Sequence, residues 1–338
     1  MKSEKRRWLL GGREAVTLKL LSIMMCLMAV ANFISAQTSP VYKAREAGYN
    51  KFSNQVVLFR PVVMNYYGRQ LFIADAGEGR VMIIDNDGKL SAVGRKGKGP
   101  GELDNISGLD VFGEEIYVAD SFSQAVKKFN LKGEFLGEIK LPFSPVQVVV
   151  LGRDKVVVSR RPGFGANSEK IVYCYDAKGQ KQWEAVDLNP QANRVLESLI
   201  NEVILKRGED GYFYLIWKYE KPAILKIDGS GRITETIRLD KAFPGVSLKL
   251  PLAGEARKVT MFVWNAACYQ GKFYIIAPQL ASDGDTSPSP SVMVINKNGQ
   301  LMEIISLPQP ARLLAIGPQL IYAADSEGIL HVYQLEEK

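Results

Sequence analysis

The sequence predicts an all-β ring of repeated four-stranded antiparallel units, a six-bladed β-propeller, and three observations carry that prediction. A strand–turn–strand–hairpin unit recurs at a spacing of 45 residues, which separates Asp75 from Asp120 and Gly88 from Gly133. The hairpin of that unit returns with drift three more times, and a further copy runs out of chain before its outer strand. Apart from residues 192–200, no segment of useful length shows the apolar periodicity of a helix. Self-similarity with a period of roughly 40 to 50 residues marks a propeller or a related array.

Taken in order, the first unit runs QLFIAD at 70–75, RVMIID at 80–85, the hairpin NDGK at 86–89 and a further short strand. The second runs EIYVAD at 115–120, AVKKF at 125–129 and LKGEFL at 131–136. Runs of β-branched and aromatic residues bounded by Gly, Asp and Asn are the chemistry of strands joined by tight hairpins. The next three units keep that grammar in IVYCYD at 171–176 with Gly179, AILKID at 223–228 with Gly231, and VMVIN at 292–296 with Gly299. The last, LIYAAD at 320–325 and ILHVY at 329–333, lacks an outermost strand, and VVLF at 56–59 is expected to supply it. Such a closure joins first to last and leaves no sheet edge open. A pair of β-sandwich domains, the rival all-β reading, does not predict the recurrence.

The segments GRKGKGPGEL at 94–103, GLDV at 108–111, IYVADS at 116–121 and VKKF at 126–129 resemble the NHL repeat. The likeness covers the second unit well, the first and last partly, and the middle three as strand rhythm. The whole chain resembles the exported six-bladed NHL-like propellers of bacteria, a group largely without assigned activities. That resemblance implies the fold and only weakly a role, because propellers host many unrelated functions.

The chain has 338 residues, 46% hydrophobic and 23% charged, with a formal net charge of +7, which excludes disordered and fibrous classes. Lys2, Lys5, Arg6, Arg7, Arg13 and Lys19 precede or enter an apolar run at 20–34 that ends in Ser35, Ala36 and Gln37. This reads as a secretory signal peptide at 1–36, cut between Ala36 and Gln37, followed by one propeller domain at 37–338. An uncleaved anchor, or a lipoprotein at Cys26, are the weaker readings of the same segment. Six basic and two acidic residues leave with it, a net of +4 out of +7, so the remaining chain carries +3 and no nucleic-acid footprint is expected. Cys174 and Cys268 stand in apolar stretches and read as buried small side chains rather than a disulfide. The expected destination is the periplasm, the outer membrane or the medium, with the membrane involved only through the export signal.

Propeller geometry turns loop length into an argument. With strands lettered a to d from the axis outwards, the b–c loops and the d–a connections share one face, and the a–b and c–d loops share the other. The second face is tightly turned, while insertions at 160–168, 187–199, 240–258 and 279–291 all belong to the first. Long loops on a rigid scaffold are where binding concentrates. On that rim, residues 94–101 with Arg95, Lys96 and Lys98 read as an anion-binding backbone nest, or as a solvated Gly-rich connection. No Gly-Lys-Ser/Thr follows, so the segment is not a Walker loop. Arg160, Arg161 and Lys218 fall on the same rim and favour an acidic glycan or a carboxylate. Trp217, Tyr219 and Trp264 offer stacking surface to a sugar, or belong to the core. Asp75, Asp120 and Asp325 close equivalent b strands, either accepting hydrogen bonds from the next turn or holding Ca²⁺ on the axis.

The single His331 sits in an alternating strand, so a zinc site built on several histidines is excluded and a Ser-His-Asp triad would rest on this residue alone. That counts against the amidating-lyase type of NHL enzyme. The expectation is therefore an exported, monomeric, non-catalytic propeller that needs no cofactor and binds a protein, a glycan or a small anionic ligand through its long-loop face. The alternative is a Ca²⁺-dependent hydrolase or lactonase-like enzyme with Asp or Glu as base near the axis.

Overall fold

The computed structural model describes residues 41–46, 56, 58–160, 170–208, 211–239, 243, 245–252, 255–281 and 285–335. The chain divides into Met1–Pro40 and Val41–Lys338. The export segment expected at 1–36 and the loop at 161–169, with Arg161, lie outside the described residues.

Five blades follow the chain as antiparallel meanders. Blade 1 is β2 (Pro61–Tyr67), β3 (Gln70–Asp75), β4 (Arg80–Asp85) and β5 (Leu90–Val93). Blade 2 is β6 (Ile106–Phe112), β7 (Glu115–Asp120), β8 (Ala125–Asn130) and β9 (Phe135–Lys140). Blade 3 is β10 (Pro145–Gly152), β11 (Lys155–Arg160), β12 (Lys170–Tyr175) and β13 (Lys181–Asp187). After the helix α1 (Arg194–Ile200), blade 4 is β14 (Val203–Arg207), β15 (Phe213–Trp217), β16 (Ala223–Ile227) and β17 (Ile233–Arg238). An added hairpin, β18 (Val246–Leu252) and β19 (Glu255–Met261), precedes blade 5, formed by β20 (Asn265–Tyr269), β21 (Lys272–Leu280), β22 (Thr286–Ile295) and β23 (Leu301–Ser306).

Blade 6 takes β24 (Leu313–Gly317), β25 (Leu320–Ala324) and β26 (Leu330–Leu335) from the C-terminus and β1 (Val41–Glu46) from the N-terminal side. The closing strand is thus an N-terminal one, as the repeat arithmetic requires, but it is Val41–Glu46 and not residues 56–59. Ala44, Arg45 and Glu46 pair antiparallel with β26, while Val41, Tyr42 and Lys43 pair parallel with β23 of blade 5. One strand therefore ties the last two blades together. The physical reason lies in pairing: β1 is flanked by β23 and β26, and its Ala44 is buried among Ile305 and Tyr333. The apolar Val56 and Leu58 instead are buried at the seam of blades 6 and 1, against Met64, Ala324 and Leu330. Gly328, at φ +81°, lets the chain pass Leu58 there; a Cβ would lie 2.1 Å from the Leu58 carbonyl oxygen.

The inner strands β2, β6, β10, β14, β20 and β24 stand side by side in that order, and β24 returns to β2. Apolar residues of neighbouring blades interdigitate at each of the six seams, for example Phe72 with Leu109 between blades 1 and 2 and Val157 with Phe213 between blades 3 and 4. The c–d hairpins share one device. Asp85, Asn130, Asp176, Asp228 and Asn296 each accept, through Oδ1, the N–H groups two and four residues on. The Gly three residues on takes positive φ in each of these turns.

Candidate functional site

On the long-loop face the starts of the inner strands surround a cavity of about 590 Å³. The residue at or just before the first position of an inner strand recurs in its lining: Arg60, Glu202, Asn265 and Arg312, with Gln147 two positions into β10. Lys218 and Trp264 lean in from the b–c loop of blade 4 and the connection into blade 5. The Lys218 ammonium donates to Glu202 Oε1 at 2.6 Å. Its backbone is held from two directions, since Lys218 N–H donates to the Glu202 carbonyl and Phe262 N–H donates to the Lys218 carbonyl.

The support beneath Lys218 comes from the inserted elements. Asn193 caps α1 by accepting from Val195 and Leu196 N–H, and Leu196 and Ile200 of α1 pack with Val259 and Met261 of β19 and with Tyr219. Burial, followed by the nearby Glu202 charge, pushes the Tyr219 phenol well above its ordinary range, so it stays neutral. The two carboxylates of the cavity are both matched. Glu202 pairs with Lys218, and Asp325 accepts from Glu327 and Ile329 N–H with His331 Nε2 at 3.0 Å. Arg60 Nη2 donates to Asn105 Oδ1 at 2.8 Å. Arg312 is exposed, and its guanidinium finds no acceptor among the described residues. The unmatched charge of the cavity is thus cationic.

The same face carries the four most exposed large apolar side chains among the described residues, Phe122 at 71%, Phe59 at 68%, Val195 at 62% and Leu280 at 60%, of which Phe59 lines the cavity. Phe122 lies in a b–c loop, Phe59 and Val195 in d–a connections, and Leu280 at the end of β21 where a b–c loop begins. A face of this kind, with exposed apolar side chains and a polar cavity, has the anatomy of a recognition surface.

The residues singled out by sequence divide sharply. Lys218, Tyr219 and Asp325 line the cavity, whereas Trp217 is buried beneath it with Lys221 Nζ stacked 4.1 Å from its ring centroid. Arg160 is buried at the end of β11 and its Nε donates to the Lys170 carbonyl. Arg95, Lys96 and Lys98 sit outward, at the seam of blades 1 and 2. The turn they flank already holds an anion, because Glu102 Oε2 accepts from Gly99 N–H at 2.8 Å and Oε1 accepts from Arg95 Nε at 3.0 Å. The Gly99 N–H bond is the main reason that the Glu102 carboxyl is held below the ordinary range. Lys96 Nζ donates to the Gly77 carbonyl.

Asp75 and Asp120 do equivalent work. Asp75 accepts from Phe59, Arg60 and Gly77 N–H, and Asp120 from Asp104, Asn105 and Ser123 N–H, so each ties the strand-entry connection to the b–c turn. Asp325 departs from the expected equivalence: it lies past the end of β25 and folds the b–c loop of blade 6 with the same bonds that shape the c–d hairpins elsewhere. Its neighbour Gly328 is what permits that turn. No group of three or more His, Cys, Asp or Glu placed to hold a metal ion occurs among the described residues.

Arg60 and Arg312 escaped the sequence reading. The usable signal was positional: in a propeller the residue preceding each inner strand faces the axial mouth, so aligning the six units by their inner strands rather than their hairpins would have marked them. A second cavity, of about 500 Å³, opens at the other ends of the same strands, on the tight-turn face.

Solved structures share this architecture. A DUF4221 family member from Bacteroides vulgatus superposes with a TM-score of 0.58 at 10% identity, over 88% of this chain and 96% of that one. A Bacteroides fragilis protein designated as exported gives 0.57 at 10% identity, over 89% and 100%. Virginiamycin B lyase from Staphylococcus aureus gives 0.53 at 13% identity, over 88% and 100%. At such identities the likeness is one of fold alone. No curated protein matches the sequence. A family model described as 6-bladed beta-propeller matches residues 54–238, more than half of the chain, and the protein belongs to that family, DUF5128.

Proposed function

We propose that the protein is an exported, non-catalytic binding module that takes an anionic ligand, an acidic glycan or a carboxylate-bearing fragment, in the axial mouth of its long-loop face. The observation that carries this reading is the cavity of about 590 Å³ in which Glu202 and Asp325 are already matched while the Arg312 guanidinium is not. A planar guanidinium at a cavity wall recognises a carboxylate through two parallel hydrogen bonds. Trp264 supplies a partly exposed ring beside it, suited to a sugar face. The exposed apolar Phe59, Phe122, Val195 and Leu280 of the same face extend the contact area for a larger ligand or a protein carrying that group. Export rests on the basic-then-apolar N-terminal segment, with its small residue at Ala36, and agrees with the exported designation of one fold neighbour.

The non-catalytic reading is favoured over the Ca²⁺-enzyme alternative by the hydrogen bonds that Asp75 and Asp120 already accept from backbone N–H groups. A glycan and peptidoglycan-fragment array tests the proposal. Acidic members are expected to be retained, and Arg312→Ala to lose at least tenfold in affinity for them. Retention of neutral members alone, or undiminished binding by Arg312→Ala, would overturn it.

A further inference from the structure

On the tight-turn face, the last residues of the inner strands enclose the cavity of about 500 Å³, and a lysine reaches into its centre. Lys206 comes from β14 of blade 4, and its Nζ lies 3.4 Å from Asn65 Oδ1 on β2 of blade 1, the blade across the ring. Asn65 is itself oriented by donating its Nδ2 to the Leu109 carbonyl at 2.7 Å. The neighbouring cation, Arg207, is accounted for: Nη1 lies 3.3 Å from Asp110 Oδ2 and donates to the Val150 carbonyl, with the guanidinium stacked over Tyr67. Asp110 is buried and also accepts from Val150 N–H at 2.8 Å. Lys206 has no ion pair among the described residues, so one positive charge on the channel axis is left over.

We infer that this axial pocket is a second ligand site, which takes a small organic monoanion with a flat apolar body, an aryl carboxylate in chemical class, on the Lys206 ammonium. An ammonium has three donors, and the single long contact to Asn65 leaves at least two for a ligand. The charge balance, two cations against the Asp110 carboxylate, matches a monoanion; a dianion would meet Asp110 uncompensated. Tyr66, Tyr67, Phe112 and Tyr269 line the cavity; Arg207 lies over Tyr67 and Phe112, which leaves Tyr66 and Tyr269 as the rings that accept a planar body. The volume falls in the ordinary range for small-molecule pockets. This site is separate from the long-loop mouth, lies at the opposite ends of the inner strands, and stands or falls independently of it.

Protonation gives a second handle. Burial lowers the Lys206 ammonium to about 8, the Asp110 charge opposing the shift. The other titratable groups facing it are Arg207 beside it, Asp110 on β6, Tyr66 and Tyr67 on β2, and Cys268 and Tyr269 on β20. Ionisation of the thiol or a phenol adds negative charge, so it acts in the same direction as loss of the Lys206 proton, against an anion.

Isothermal titration of the full-length mature protein with phenylacetate, phenylacetamide and phenyl phosphate at pH 7 and pH 9.5 tests the site. Phenylacetate is expected to bind at least tenfold tighter than the amide and tighter than the phosphate at pH 7, and to lose at least tenfold by pH 9.5. Lys206→Met is expected to abolish the preference for the acid over the amide while keeping its fold, because it removes an unpaired charge from an enclosed site. Equal binding of acid and amide, or a preference that survives Lys206→Met, would overturn the inference. Should the variant fail to fold, the wild-type profile decides: phenylacetate affinity unchanged between pH 7 and pH 9.5 counts against the site.

Discussion

Asp120 and Lys127 form an ion pair at 3.0 Å in which the lysine is 2% exposed and the aspartate fully buried. Lys127 also donates to the Glu102 carbonyl and to Ser123 Oγ, so one ammonium fastens the loop that enters blade 2 to the b–c turn that leaves its second strand. Removing one member of such a pair strands the other charge. Asp120→Ala is therefore expected to cost about 3–5 kcal/mol in urea denaturation, and a loss below about 1 kcal/mol would show that water reaches the pair. Burial alone would raise the Asp120 pKa, but the N–H groups of Asp104 and Asn105 together with Lys127 and Ser123 outweigh it and hold it below 3.8. A depressed carboxyl stabilises the fold at every pH above its ordinary value and loses that contribution as the pH falls below it. Acid titration should therefore lower wild-type stability below about pH 4, and the acid slope of Asp120→Asn should be shallower. Because the oxygens of Asp75 and Asp120 already accept from N–H donors, the melting temperature is expected to be the same with chelator and with millimolar Ca²⁺; a clear rise with Ca²⁺ would favour the metal reading instead. That these two aspartates accept from the turn after their strand was legible as one of two readings, because an Asp at a strand end before a turn has local work to do; their bonds from the strand-entry connections were not. Arg312 was not, because its significance depends on Arg60 and Lys218, which only the closed ring brings to the same cavity.

At the level of elements, closure of the ring turns on β1, which alone among the described strands bridges two blades. Deleting residues 41–46 exposes the edges of both β23 and β26 and uncovers Tyr333 and Ile305, which pack with Ala44. A fall in melting temperature on the order of 10 °C, with aggregation through the freed edges, is the expected outcome by calorimetry and light scattering. The number of blades and the source of the closing strand near the N-terminus were readable because the last repeat visibly lacked a member. The identity of that strand was not, since hydrophobicity favours residues 56–59 over VYKARE, whereas Val56 and Leu58 are taken up by the seam of blades 6 and 1. The helix α1, glimpsed at 192–200, depends on its cap: Asn193→Ala is expected to cost about 1 kcal/mol, measurable by denaturation, and to weaken ligand retention at the long-loop mouth through the α1–β19 support under Lys218.

Across the whole molecule, the ring converts residues scattered from 60 to 312 into two axial mouths with different chemistry. One, of about 590 Å³, is edged by an unmatched guanidinium; the other, of about 500 Å³, holds an ammonium without an ion pair among the described residues. Of the formal charge of +7, +4 belongs to residues 1–36. The face on which the long loops gather was legible from loop lengths, because antiparallel neighbours fix which connections share a side. The depth and lining of the mouths were not, since they arise from six strand ends that are remote in sequence. The most direct measurement of the central claim is a crystal structure of the mature protein purified from its own host with its ligand retained. The account predicts electron density for an anionic group within hydrogen-bond distance of Arg312 in the long-loop mouth, and a ligand ordered elsewhere on the protein, with that mouth holding only solvent, would contradict it.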